Sequence, residues 1–164
     1  PAKATIIDLL PVCSHVHFTC HGIPNTDSPS NSGIVLQHAT EPNESDRLTI
    51  EDISETDESV FLTVCSSANV ATEEFIEEGI HLASEFQMQG FYSVVATLWL
   101  VNDDMFKEVV SRFYEVLAKR YGGDGVNMAH KGCYASVLQS VVAEIRRESP
   151  ESVLQWAPFV HFGV

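Results

Sequence analysis

Two nearly continuous apolar runs constrain the fold of this 164-residue chain more than any other feature. They are VFLTVC at residues 60–65 and YSVVATLWL at residues 92–100. Runs of this length and composition are typical of strands that are buried on both faces of a sheet. Each run is followed by a stretch with helical periodicity, and WAPFVHF at residues 156–162 indicates a last strand. Strands that alternate with helices predict an α/β domain with a largely parallel sheet.

Three amphipathic helices are predicted between and after these strands. The first has Thr72 as its N-cap and ends at Gly90. The second begins at Asn102 or Asp103 and ends at a pair of glycines, and the third begins at Asn127. Their predicted inward residues are Phe75, Ile76, Ile80, Ala83 and Phe86 in the first helix, Phe106, Val109, Val110, Phe113 and Leu117 in the second, and Cys133, Val137, Leu138, Val141 and Ile145 in the third.

The N-terminal part of the chain presents a histidine after a predicted strand. The segment VCSHVHFTC at residues 12–20 alternates with a period of two, which predicts a strand. It leads directly into His21 and Gly22, and glycine is favoured where a backbone turns sharply or lets another group approach. Residues 23–33 are dense in proline, serine, asparagine and glycine, which predicts a loop, and residues 34–36 indicate a short returning strand.

The segment at residues 41–58 is rich in acidic residues and poor in apolar ones. This composition is typical of a solvated connection. We therefore predict a loop that contains one short helical turn near residues 49–53.

The charge of the chain limits its binding partners. It carries 23 acidic and 9 basic residues, a formal net charge of -14. Nucleic acid and anionic membrane surfaces would be repelled. No apolar run approaches the roughly 18 residues that are needed to span a bilayer. We therefore expect a soluble, cytoplasmic protein that binds neither nucleic acid nor a membrane.

The four cysteines indicate reduced thiols rather than a disulfide framework, because their spacing is irregular. Cys20 is expected to pack against a helix, and Cys133 is expected in the core. Cysteines and histidines cluster between residues 13 and 21. Cys13, His15 and His17 share one face of the predicted strand, but they spread over roughly 13 Å along it, too far to bind one ion. Neither a metal nor another cofactor is expected.

The ends of two predicted strands bring a histidine and a cysteine together. The carboxyl ends of parallel strands lie at the same edge of a sheet, so His21 and Cys65 are expected to be neighbours. Nucleophilic thiol catalysis uses such a pair: the thiolate attacks a carbonyl carbon, and the imidazole protonates the leaving group.

Several segments resemble the CHAT domain, a caspase-like domain that is often joined to tetratricopeptide repeats and is related to caspases and separases. These segments are HFTCHG, FLTVCSSA, EGIHLASEFQMQGFYSVVATLWLVND and the closing WAPFVHFG. The third contains the helix, the glycine and the strand ending in Leu-Trp-x-Val-x-Asp that are typical of the family. The resemblance extends from about residue 15 to the end of the chain.

The resemblance implies a fold and a set of site residues. The fold would be a caspase-like three-layer sandwich with a mainly parallel sheet, forming a single domain over residues 1–164. We expect a fragment of a larger protein, with the family's first strand and helix before residue 1. His21 would be the catalytic histidine and Cys65 the nucleophile, and the N–H groups of Gly22 and Cys65 would form the oxyanion hole. Asp103 would line the pocket for a basic P1 side chain, and Trp99 is placed in the substrate cleft wall or in the core.

Two functions remain open from the sequence. The first is a cysteine endopeptidase that cleaves a protein or peptide substrate, with a tetratricopeptide-repeat or sensor domain outside these residues as a partner. The second is a noncatalytic caspase-like module for protein interaction and regulation. Thiol reactivity separates them, because a catalytic Cys65 should react faster than the other three cysteines and should lose this advantage in His21→Ala.

Overall fold

The chain folds into helices and short strands in mixed order. The computed structural model describes residues 2–13, 16–23, 25, 28–37, 45–53, 64–65, 83–121 and 133–163. The helices are α1 (Lys3–Leu9), α2 (residues 83–88), α3 (Asp103–Tyr121), α4 (Cys133–Glu148) and α5 (Val153–Trp156). The strands are β1 (Cys20–Ile23), β2 (Gly33–Gln37), β3 (Ser45–Thr49), β4 (Val64–Cys65), β5 (Ser93–Thr97) and β6 (Phe159–Gly163). The prediction of a protein with both helices and strands is confirmed.

The strand pairings differ from those expected. One sheet has the order β3-β2-β1-β4, and β5 pairs with β6. Only the β1–β4 pair is parallel among the pairings of the described residues, so a mainly parallel sheet is not observed there. The reason lies in the connections, since nine residues join β1 to β2 and seven join β2 to β3. Such short connections suit antiparallel neighbours, whereas a parallel crossover needs about a dozen residues or more.

Strand β5 lies between two hydrophobic clusters. Val94 and Ala96 belong to one cluster and Val95 to the other, and successive side chains of a strand point to opposite faces. All five residues of β5 are buried, which confirms the strand predicted within the apolar run at residues 92–100. We call the clusters the hairpin core (Ile6, Leu10, Phe18, Ile34, Leu36, Leu48, Ile50, Ile53, Ala83, Phe86, Phe91, Val94 and Ala96) and the helical core (Val95, Val101, Phe106, Val109, Phe113, Leu117, Cys133, Tyr134, Val137, Leu138, Val141, Ile145 and Phe159).

Helix α2 ends at Gly90, as the sequence predicts. Gly90 has a φ of 99°, a conformation that glycine adopts without a steric penalty. Its N–H donates to the carbonyl oxygen of Gln87 at 3.0 Å, and the N–H of Phe91 donates to that of Phe86 at 3.4 Å. The rings of Phe86 and Phe91 pack edge to face at 5.3 Å. This hydrogen-bond pattern and apolar contact form a Schellman motif. The predicted N-cap Thr72 and the positions 75, 76 and 80 lie outside the described residues.

Helices α3 and α4 pack together through the faces that their periodicity predicts. The Phe113 ring is fully buried and stacks on Tyr134 of α4, with ring centroids 6.1 Å apart. On the outer side, the Arg112 guanidinium donates to both carboxylate oxygens of Glu148, at 3.0 and 2.6 Å. The predicted inward residues that are buried are Phe106, Val109, Phe113 and Leu117 of α3 and Cys133, Val137, Leu138, Val141 and Ile145 of α4, and Val110 is partly buried.

The strand predicted at residues 12–20 is wrong in position. Leu10–Val12 form a 3-10 turn with Pro11 in it, and the Val12 side chain is 76 % exposed. A proline suits the first turn of a helix because its N–H is not needed there. Residues 16–19 have no regular secondary structure, and the strand begins at Cys20, where β4 provides a partner. His21 therefore lies within β1 rather than beyond its end.

The acid-rich stretch at residues 41–58 is not wholly a loop. Its residues 45–49 form β3, which pairs along its whole length with β2. The helical turn predicted near residues 49–53 is confirmed as Ile50–Asp52, where Thr49 and Asp52 form a capping box. The carboxylate of Asp52 also forms an ion pair with the Lys3 ammonium at 2.6 Å. The apolar residues of the stretch, Leu48, Ile50 and Ile53, are buried in the hairpin core.

The last predicted strand begins later than expected. Trp156 belongs to α5, and its indole N–H donates to the Ser149 carbonyl oxygen at 3.1 Å. Pro158 cannot donate the hydrogen bond that would continue a helix. Strand β6 therefore begins at Phe159 and pairs with β5.

Candidate active site

The parallel pairing of β1 with β4 places His21 beside Cys65. The Cα partners in this pair are Cys20 with Val64 and His21 with Cys65. Neighbouring strands in a sheet lie about 4.8 Å apart. The backbones of the two sequence-predicted catalytic positions are therefore adjacent in the structure.

The β1–β2 hairpin holds the backbone of Gly22. Gly22 pairs with Ile34, whose side chain is fully buried in the hairpin core, and Ile23 pairs with Gly33. A Cβ atom on Gly33 would collide with the carbonyl oxygen of Leu48 in β3. Close packing of three strands thus holds residues 22 and 23, directly after His21, against the hairpin core.

The N-cap of α3 is Asn102, one of the two residues that the sequence offered. The Asn102 side-chain oxygen accepts from the Met105 N–H at 2.8 Å, so Asn102 is the N-cap. Asp103 is the first helical residue and is exposed. Asp103 thus does not serve as the cap.

Asp103 lines a cavity of about 330 Å³ between α3 and the segment that leads into β1. His17 and Thr19 contribute from that segment, and the His17 ring lies 5.6 Å from the Tyr114 ring of α3. Thr19 precedes His21 by two residues, which is roughly 7 Å in an extended chain. The remaining lining residues are Phe106, Lys107, Val110 and Ser111. The cavity therefore brings Asp103 close to the chain that carries His21.

Sequence reasoning missed the other polar residues of this cavity. Lys107 and Ser111 follow Asp103 by four and eight residues, a spacing that places them on one face of a helix. That periodicity is the signal that could have identified them. Thr19 has no such signal, because only the tertiary fold brings it to α3.

Trp99 follows β5 and is partly exposed. Its indole N–H donates to the carbonyl oxygen of Leu154 in α5 at 2.8 Å. Trp99, Leu100, Leu154 and Gln155 line a second, apolar depression. Trp99 therefore lies at the surface beside α5 rather than in either core.

The thiols of Cys20 and Cys133 lie in apolar surroundings. Burial raises the pKa of both thiols, which disfavours the reactive thiolate. Cys133 is buried in the helical core, as predicted, and Cys20 is partly buried against the hairpin core. Cys13 and Cys20 also line an apolar cavity of about 520 Å³ beside Ile6 and Leu10. Ile6 belongs to α1, a helix that was not predicted from the sequence.

The described residues contain neither a candidate metal site nor a candidate membrane span. That part of the chain has no group of three or more His, Cys, Asp or Glu side chains that could hold a metal ion. None of its helices is long and apolar enough to cross a bilayer. His15, one of the residues of the N-terminal cysteine and histidine cluster, lies outside the described ranges.

Comparison with protein families gives a match over almost the whole chain. The model of the CHAT domain matches residues 2–164. No curated protein matches the sequence significantly. The family match covers the paired strands β1 and β4, the N-terminus of α3 and the apolar depression beside α5.

Proposed function

The chain belongs to the CHAT domain family, and from this premise we propose that it is a caspase-like cysteine endopeptidase with Cys65 as nucleophile and His21 as general acid–base. The observation that carries the proposal is the register of β1 against β4, in which these two residues are partners. Partner positions on neighbouring strands lie on the same face of a sheet. A nucleophile and its base must be within hydrogen-bond reach of each other, and the adjacency of the two backbones supports this assignment.

The reaction would proceed in two steps. The Cys65 thiolate forms a bond to the scissile carbonyl carbon, and the peptide C–N bond breaks as His21 gives its proton to the departing amine. Water, deprotonated by His21, then attacks the thioester, which releases the carboxylic acid product and returns the proton to the dyad. The backbone N–H groups of Gly22 and Cys65 would stabilise the oxyanion in both steps, and loss of one such donor typically costs about 3 kcal/mol.

Asp103 would select a basic P1 side chain. It lines a cavity next to the segment that leads to His21, and it carries the carboxylate that an arginine or lysine needs. The net charge of -14 would further favour a basic substrate. Lys107 lies in the same cavity and would limit how deeply a cation enters.

The proposed fold is a three-layer sandwich of the caspase type, forming one domain in a larger protein. The two hydrophobic clusters on opposite faces of β5 support this layering. The partners would be a protein or peptide substrate and a tetratricopeptide-repeat or sensor domain that controls access to the cleft.

Covalent labelling tests the proposed dyad. An electrophilic peptide with arginine at P1 is incubated with the wild type, Cys65→Ala and His21→Ala, and intact mass reports the adducts. We expect one adduct in the wild type, none in Cys65→Ala, and labelling slower by about 100-fold or more in His21→Ala, the usual range for loss of a general acid–base. A probe with P1 aspartate should label more slowly, and Asp103→Asn should remove that difference.

Cys20 and Cys133 serve as internal controls for this experiment, because burial raises the pKa of each thiol. Peptide mapping of the adduct should find neither of them. Labelling that persists at full rate in Cys65→Ala would favour the noncatalytic interaction module instead.

A further inference from the structure

The apolar depression beside the N-terminus of α3 has the features of a binding site. Its volume is about 420 Å³, and four residues line it: Trp99, Leu100, Leu154 and Gln155. Leu100 is 45 % exposed and Leu154 is 68 % exposed. Pockets for ligands typically measure about 300–1,000 Å³ and have mainly apolar walls. Exposed apolar residues that line one concave surface favour a binding role over chance exposure.

Two polar side-chain atoms of the walls are engaged within the protein. The Trp99 indole N–H donates to the Leu154 carbonyl oxygen at 2.8 Å, and the Gln155 side-chain oxygen accepts from the Asn102 N–H at 2.9 Å. Because these groups are satisfied, the surface presented to a ligand consists mainly of the indole ring and two leucine side chains. This chemistry fits a bulky aliphatic or aromatic side chain.

The same two hydrogen bonds make the depression a preformed structure. They join the segment after β5 to α5, across 55 and 53 residues of sequence. A preformed site binds its ligand with less loss of conformational entropy than a flexible one. Helix α5 thus acts as a wall that holds Trp99 and Leu100 in place.

The depression lies beside the N-terminus of α3, where Asp103 is the first helical residue. Gln155 contacts Asn102, the residue that precedes Asp103. Asp103 is four positions after Trp99, and an extended chain spans at most roughly 14 Å over four residue steps. An extended peptide covers the same distance in about four residues.

We propose that this depression is a substrate subsite for a bulky apolar side chain that lies within about four residues of the basic residue at Asp103. The proposal rests on the proposed function, since it assigns the bound ligand as the peptide substrate. The substrate class is therefore a peptide that combines one arginine or lysine with a nearby leucine, phenylalanine or similar residue. Leu154 is its specificity-determining residue.

Peptide binding to the Cys65→Ala protein tests the subsite without requiring catalysis. Fluorescent peptides with a fixed arginine carry leucine, phenylalanine or serine at each of the four positions on either side, and anisotropy gives their dissociation constants. We expect one position at which leucine or phenylalanine binds about tenfold more tightly than serine, as for burial of one apolar side chain.

Leu154→Ser should abolish this preference while leaving the affinity of the serine peptide unchanged. The matched control is Val153→Ser, because Val153 is the neighbouring exposed residue of α5, at 44 % exposure, and does not line the depression. It should keep the full preference. Circular dichroism checks that both variants are folded.

The outcomes separate the subsite from the catalytic proposal. A preference that persists in Leu154→Ser, a preference found at no position, or no binding by any peptide overturns the subsite. Labelling of wild-type Cys65 without an apolar preference also overturns the subsite but leaves the catalytic proposal intact. An apolar preference that depends on Leu154, found in a protein whose Cys65 does not react, supports the subsite and overturns the protease.

Discussion

The two cores on either side of β5 are closed by different kinds of structure. The helical core lies under two long helices of 19 and 16 residues, which the Arg112–Glu148 ion pair joins on their outer side. The hairpin core lies under α1 of 7 residues, the turns of α2 at residues 83–88, and strands of 4 and 5 residues, beside an apolar cavity of about 520 Å³. Long helices satisfy their backbone hydrogen bonds internally, whereas each short strand depends on its neighbours.

This difference separates stability from the proposed chemistry. His21 and Cys65 lie in the sheet that belongs to the hairpin core, where a shift of one strand alters their register. The helical core supplies the cavity wall at Asp103 but not the paired strands. Substitutions in the helical core should therefore lower stability with little effect on the folded protein's reactivity. Substitutions in the hairpin core should change both.

Phe113→Ala should have the largest effect and test the first half of this comparison. The ring is fully buried and contacts Tyr134 and Tyr114. Its removal leaves a cavity, so we expect the free energy of unfolding to fall by about 3–5 kcal/mol. Urea denaturation measures this loss, and the labelling rate of Cys65, measured where the variant is still folded, should equal that of the wild type.

The control is Met88→Ala, because Met88 is 77 % exposed and surface substitutions usually change stability by less than about 0.5 kcal/mol. A folded Phe113→Ala protein with slower labelling would contradict the separation of the two cores.

Two glycine variants give the sharpest test of the difference between the cores. In Gly33→Ala the new Cβ would collide with the Leu48 carbonyl oxygen, and in Gly163→Ala with that of Tyr92. Both crowd a neighbouring backbone, so each should lose about 1–3 kcal/mol, the usual range for overpacking. Gly163→Ala should lose more than Gly33→Ala, because Gly163 has a φ of 133°, which is unfavourable for a residue with a side chain. Only Gly33 lies in the sheet of His21 and Cys65, so only Gly33→Ala should slow covalent labelling in the folded protein. Equal labelling rates for the two variants would show that the hairpin does not set the register.

The same contrast explains what the sequence could predict about the fold. The buried faces of α3 and α4 follow from a period of 3.6, which is a local property of each segment. The alternation at residues 12–20 is equally clear, but a strand forms only where a partner supplies hydrogen bonds, and the pairing with β4 begins at Cys20. Strand β3 shows the opposite case. Its polar sequence has almost no apolar pattern, but a strand forms because β2 provides a partner.

The candidate site divides in the same way. The adjacency of His21 and Cys65 could be expected because both follow from motifs on parallel strands. Leu154 could not be expected, because its link to Trp99 spans 55 residues and passes through a backbone carbonyl oxygen that any residue type supplies. Contacts of that kind leave no signature in the local sequence.

Strand β6 contacts both cores, and its residue His161 should make the free energy of unfolding depend on pH. The Ser93 hydroxyl and Nε2 of His161 share a hydrogen bond of 2.6 Å, and partial burial lowers the pKa of the imidazole. The unfolded chain then binds a proton more readily than the folded one, so stability should fall as the pH drops below about 6.5, the ordinary histidine value. The fall should end once the pH is below the folded-state pKa.

Urea denaturation of the wild type and His161→Gln at pH 7.5 and 5.5 measures this effect. The glutamine variant should lose less stability than the wild type between the two pH values. An equal loss in both proteins would assign the pH dependence to other groups.

Arg112→Met should have the smallest effect, because the ion pair is at the surface. The variant removes the ion pair between α3 and α4 and keeps most of the apolar stem of the side chain. Surface ion pairs contribute little to stability and are screened by salt. We therefore expect a slightly lower urea midpoint than that of the wild type at low ionic strength, and no change in the midpoint at 1 M salt. Lys119→Met is the matched control, since the ion pair of Lys119 is with Glu115, within α3. A change in the Cys65 labelling rate in Arg112→Met would mean that the packing of α3 against α4 reaches the paired strands, and the two cores would then act as one.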